Sequence, residues 1–146
     1  MKTYWYKYRS VVAFFCVLAT FAVGKAQIAV IANTSVPIES LDKEMLFDVY
    51  RCDVQTWDDD TKIMVWDLGE RGATRKAFYE FIGKRPSRMK SLWMKKLLTG
   101  DGDPPEVAES EEEMLEKIIG TPGAIGYVNQ ELVDDRVKLL LVIEEE

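Results

Sequence analysis

The residues able to do chemistry in this chain are few in kind. Histidine is absent, which removes the usual metal ligand, the usual general base and every Ser-His or Cys-His nucleophile pair. Two cysteines occur, Cys16 and Cys52, so no internal disulfide is expected once the first is removed with a leader. Carboxylates are abundant but match no known constellation. Asp58-Asp59-Asp60 lacks the glycine and the distal glutamate of a calcium loop and reads as a turn. Asp101 and Asp103 fall in the loop TGDGDPP, and Glu109 to Glu113 suits the acidic first turn of a helix. The chain therefore reads as non-catalytic, with no metal site and no cofactor.

The N-terminus reads as an export signal. Lys2, Lys7 and Arg9 form a basic segment, Val11 to Val23 is almost continuously apolar, and Gly24-Lys25-Ala26 supplies a small-x-small cleavage site. The apolar run is shorter than the roughly 18 residues a membrane span needs. Cleavage before Gln27 is expected, giving a signal peptide over 1–26 and one domain over 27–146, located in the periplasm. No later segment is apolar enough to span a membrane. Residues 27–146 carry 15 basic and 25 acidic residues, a net charge of −10. As a whole such a surface repels nucleic acid and anionic lipid. A helix N-terminus acts at short range, so a local anion site remains compatible with that charge.

The elements that must position any site alternate between strand and helix. Gln27 to Ala32 is a short buried strand. Ser40 is expected to cap a helix to about Tyr50 with Leu41, Met45, Leu46, Val49 and Tyr50 on one face. Cys52 at its end reads as a buried small hydrophobe, with an intermolecular bridge as the other option. A strand spans Lys62 to Leu68, followed by the loop Gly69-Glu70-Arg71-Gly72 and a helix from about Ala73 that Gly83 stops. Pro86 opens a third helix, with Met89, Leu92, Trp93 and Leu97 at inward spacing. Ser110 with Glu113 matches a capping box before a fourth, with Met114, Leu115, Ile118 and Ile119 inward. Strands follow at Ala124 to Val128 and Val137 to Ile143. The pattern predicts a mixed sheet flanked by helices on both faces.

The order of motifs carries a resemblance. An apolar strand precedes Leu46-Phe47-Asp48-Val49-Tyr50, then Trp57-Asp58-Asp59, a strand ending in a Gly-containing loop, a helix with Phe78, Trp93 before Leu98-Thr99-Gly100, Pro105, and Pro122-Gly123-Ala124-Ile125-Gly126-Tyr127-Val128. In that order, from about residue 27 to 128, the chain resembles the phosphate-type substrate-binding proteins of ABC transporters. The resemblance implies an α/β fold consisting of a single lobe of the type II periplasmic-binding-protein kind. The run from Pro122 to Val128 is its most specific element, and its glycines speak for backbone geometry rather than chemistry.

What the resemblance implies for a site falls on Gly69 to Arg75. In such proteins the matching loop holds an oxyanion with an arginine and with a Ser-Gly-Thr run opening a helix. Here Thr74 would supply a hydroxyl, Gly72 and Ala73 backbone N–H groups, and Arg71 or Arg75 the charge. The Ser-Gly-Thr run itself is missing, and Glu70 adds negative charge. Two-lobed binding proteins trap ligand by hinge closure, whereas 120 residues provide one lobe. Two readings follow: a solute-binding-like domain with a weak site for phosphate or another small oxyanion, or a ligand-free structural or interaction module that meets an envelope protein or a second copy of itself.

Overall fold

The computed structural model describes residues 27–69 and 72–144. The expected signal peptide lies outside the described residues, as do Glu70 and Arg71 of the candidate loop. Five strands form one mixed sheet: β1 (Gln27–Ala32), β2 (Met64–Leu68), β3 (Glu106–Ala108), β4 (Ala124–Asn129) and β5 (Lys138–Glu144). The helices are α1 (Lys43–Tyr50), α2 (Ala73–Ile82), α3 (Pro86–Thr99) and α4 (Glu111–Gly120). Strand order is β3-β2-β4-β1-β5. The expected α/β fold, a mixed sheet flanked by helices, is what forms.

β1 runs antiparallel to both neighbours, while β2 is parallel to β3 and β4. The chain visits β3 and then β4, which lie on opposite sides of β2. The order of connection thus reverses at β2, and its carboxyl end is where open α/β sheets leave a crevice for ligands. Ile28 to Ala32 and Ala124 to Val128 are wholly buried, which explains why their sequences are continuously apolar rather than alternating.

Several sequence expectations shift by local chemistry. Asp42, rather than Ser40, caps α1, accepting the Met45 N–H at 2.8 Å. The backbone N–H of Leu41 bonds the Leu140 carbonyl of β5 at 3.2 Å, and the helix begins at Lys43. β3 was not anticipated: only Ala108 of its three residues is buried, so an edge strand this short leaves no periodicity to read. Leu97 does not face inward but is 46% exposed; Met89 and Trp93 are the buried residues of α3, with Leu92 partly buried against the core. Cys52 is buried in a left-handed turn (φ 63°), its thiol donating to the Asp103 carbonyl. Gly83 ends α2 with φ 69°, as expected for a left-handed stop.

The strand from Ala124 is held by its glycines. Gly123 turns at φ 76° with its N–H on Ser35 Oγ and its carbonyl taking the Trp57 indole N–H at 3.0 Å. A Cβ at Gly123 would run into the Lys62 carbonyl oxygen, and one at Gly126 into the Met114 sulfur beneath α4. Gly123→Ala meets backbone in a disfavoured conformation, while Gly126→Ala meets a flexible side chain. Chemical denaturation should therefore rank Gly123→Ala as the more damaging of the two, with Gly126→Ala costing about 2 kcal/mol. Equal losses would contradict the close approach described.

Candidate functional site at the carboxyl end of β2

A single charged residue sits in the apolar run Met64-Val65-Trp66-Asp67-Leu68. Asp67 is 3% exposed, and a buried carboxylate is tolerated only when hydrogen-bonded and paired. Its partners come from two other elements. Tyr127 of β4 donates its hydroxyl at 2.5 Å, Tyr79 of α2 donates at 2.8 Å, and Arg75 Nη2 lies at 3.3 Å. Arg75 and Tyr79 are one turn apart on α2, so one face of the helix delivers both. The guanidinium also covers the Tyr79 ring at 4.8 Å. Tyr127 is fixed from the side by Phe78, whose ring stacks on it at 3.8 Å with parallel planes.

The electrostatics keep these donors in their donating forms. Burial, then the Asp67 charge, pushes both Tyr79 and Tyr127 far above the ordinary phenol pKa. Burial opposes the Arg75 charge, yet Asp67 and the neighbouring phenols leave its pKa raised overall. Arg75 Nε is buried without a hydrogen-bond partner among the described residues.

The residues nominated from sequence are consecutive at the start of α2. Gly72 is its N-cap, extended at φ −148° and making no side-chain cap bond. Ala73, Thr74 and Arg75 form the first turn, whose N–H groups have no carbonyl of their own helix to reach. Gly72 and Ala73 are exposed, and Thr74 is buried (7%). Arg75 points back to Asp67. Beside them opens a cleft of about 460 Å³ lined by Asp67, Gly69, Arg75, Lys90, Trp93 and Glu109, among others. Two carboxylates and two cations face it, so its charge is balanced. Glu109 crowds Gly69: a Cβ there would stand 3.1 Å from its carboxylate oxygen.

Asp67, Tyr79 and Tyr127 were not singled out from sequence. The signal was present for Asp67, as an acid inside an otherwise apolar strand. Nothing local marks the tyrosines, because Tyr127 lies 60 residues from its partner.

Comparison with solved structures places this geometry in a known fold. A putative phosphate ABC transporter substrate-binding protein with bound phosphate from Clostridium perfringens matches with TM-score 0.66 and 22% identity, over 79% of this chain and 45% of that one. An ABC-type phosphate transport receptor from Vibrio cholerae matches with TM-score 0.63 and 22% identity, over 79% and 46%. PstS from Borrelia burgdorferi matches with TM-score 0.60 and 17% identity, over 80% and 48%. No protein-family model and no curated protein matches the sequence. The chain thus has the fold of phosphate-type substrate-binding proteins and spans somewhat less than half the length of those structures.

Removing the Asp67 carboxylate leaves a partly buried guanidinium and two buried phenols without their acceptor. Asp67→Ala should lose about 3–5 kcal/mol of stability in urea denaturation, and Tyr127→Phe only about 1–2 kcal/mol. A neutral Asp67→Ala would mean that the cluster does not form in solution. The tyrosines also set a pH dependence. Their folded pKa values are raised, so the stability they confer is complete below the unfolded value near 10. It declines above pH ~10 as only the unfolded chain ionises. Circular dichroism across that range should show the decline, shallower in Tyr127→Phe.

Proposed function

We propose that the chain acts as an exported, non-catalytic solute-binding-type lobe that takes phosphate or a similar small oxyanion weakly. The observation that carries this reading is the uncapped N-terminus of α2 at the carboxyl end of β2. There an oxyanion would meet the N–H groups of Ala73 and Thr74 beside Gly72, which makes no side-chain cap bond. Two of the similar structures support phosphate as the ligand class, since they are described as a phosphate transport receptor and as a binding protein with phosphate bound. Weakness follows from the Arg75 charge, which is neutralised by Asp67.

The non-catalytic part rests on the chemistry of the side chains. Asp67 is held by three donors, the two phenols among them are held protonated by burial and by its charge, and histidine is absent. Export rests on the residue pattern of 1–26. Protein recovered from a periplasmic extract should begin at Gln27 by N-terminal sequencing; retention of residues 1–26 would overturn that step.

Calorimetry on residues 27–146 should give a dissociation constant of about 1 mM for phosphate or sulfate. Proline is tolerated at the first helical position, so Ala73→Pro should remove one donor, weaken binding several-fold and leave the melting temperature unchanged. Arg71→Ala should weaken it as well. An absence of heat with both anions would sink the binding reading.

A second reading is favoured by the same ion pair. With Arg75 already spent, the lobe would serve as a ligand-free interaction or structural module for an envelope partner or a second copy. Light scattering after gel filtration would then find a stable dimer or a complex in place of a monomer.

A further inference from the structure

The charge of this chain is strongly segregated. Between Gly83 and Gly100 stand six basic residues, Lys84, Arg85, Arg88, Lys90, Lys95 and Lys96, and no acidic one. The rest of residues 27–146 holds nine basic against 25 acidic residues. This basic stretch is α3 with the turn before it. Lys96 is engaged with Asp53 at 2.8 Å, and Lys84 lies over the Phe47 ring. Arg85, Arg88 and Lys95 are exposed and make no ion pair among the described residues.

The same helix carries an apolar ridge on its outer face. Met89 and Trp93 turn inward, which places Met94 and Leu98, one turn apart, on the opposite side. Their exposures are 53% and 80%, with Leu97 at 46% on the flank. By helical periodicity Arg88 and Lys95 run along one side of the Met94–Leu98 line and Lys90 along the other, while Ser87 and Ser91 complete the face. Next to the start of α3, a second cleft of about 540 Å³ between α2 and α3 is lined by Lys84 and Arg85, together with Lys76 and with Arg75, whose charge is paired with Asp67. Its one acid, Glu80, is bridged to Lys76 at 3.7 Å.

We propose that α3 docks the protein on an anionic phospholipid surface. An apolar ridge bracketed by long cationic side chains suits an interface, where Met and Leu enter the acyl boundary while Lys and Arg extend their charges to headgroup phosphates. The basic cleft at the helix start offers space for a headgroup. A folded protein partner would need about 800 Å² of matched surface, and three exposed apolar side chains on one helix do not supply a core for it. A bilayer makes no such demand for shape. The overall negative charge does not forbid contact, because charges further than about 8 Å are largely screened at physiological ionic strength.

Flotation with vesicles tests this. Residues 27–146 should float with phosphatidylcholine vesicles containing phosphatidylglycerol, stay behind with phosphatidylcholine alone, and be released by high salt. Arg88→Glu combined with Lys95→Glu should reduce bound protein on the order of tenfold or more. Met94→Ser with Leu98→Ser should reduce it several-fold at unchanged salt sensitivity. Both pairs are exposed and should melt at the parental temperature, and Arg136→Glu, away from α3, should bind as the parent does. Failure to float with the anionic vesicles, undiminished binding by both double variants, or binding to polyglutamate but not to vesicles would each overturn the proposal. The last outcome would assign the face to an acidic polypeptide.

Discussion

One buried carboxylate organises the fold around the carboxyl end of β2. Asp67 on β2 gathers Arg75 and Tyr79 from α2 and Tyr127 from β4. A charge taken out of water is tolerated only when such partners replace its hydration, so these elements must meet in one geometry for the chain to fold. The consequences reach outward. Tyr127 is held against Phe78, Phe78 lies 4.8 Å from Tyr50, and the Tyr50 hydroxyl donates to the Trp66 carbonyl beside Asp67. The Tyr50 carbonyl in turn accepts the Trp93 indole N–H of α3. A ring of polar bonds and stacked aromatics thus closes around the carboxyl end of β2.

The same carboxylate changes what the start of α2 can do. A helix N-terminus with an arginine in its first turn is a ready site for an anion. Here the guanidinium is paired with Asp67 and its charge is cancelled, so attraction for an oxyanion falls to the backbone N–H groups. Glu109 at the rim of the cleft adds a further negative charge. The pairing lowers the pull that the start of α2 would otherwise exert on an anion.

Net charge is a poor guide to any one surface of this molecule. A total of −10 over residues 27–146 coexists with a helix that carries no acid at all. The sheet edges show a related contrast. β5 is long and apolar, but residues 36 to 41 cover part of it: Leu41 bonds the Leu140 carbonyl, and Lys138 reaches the Val36 carbonyl and Glu39. At the other edge, β3 is only three residues long. A covered edge and a short one limit strand pairing between copies.

Much of the architecture was legible because it depends on local rules. Gly83 ends α2, Pro86 opens α3, and Ser110 caps α4 by accepting the Glu113 N–H at 3.1 Å, each from the chemistry of one or two residues. The continuous apolar runs at residues 28–32 and 124–128 already required strands buried on both faces. Where two candidates competed, the tertiary structure decided. Ser40 and Asp42 are both good caps, and the fold uses Asp42, with Leu41 tied to β5 99 residues further on. Leu97 has inward spacing, but the inward face of α3 is taken by Met89, Leu92 and Trp93. Sequence alone therefore determined the alternation of elements and the absence of histidine chemistry, since both are properties of short segments or of composition. Only the tertiary structure decided that Arg75 is spent on Asp67, because that pairing joins a strand, a helix and a tyrosine 60 residues away, and no local pattern encodes such a meeting.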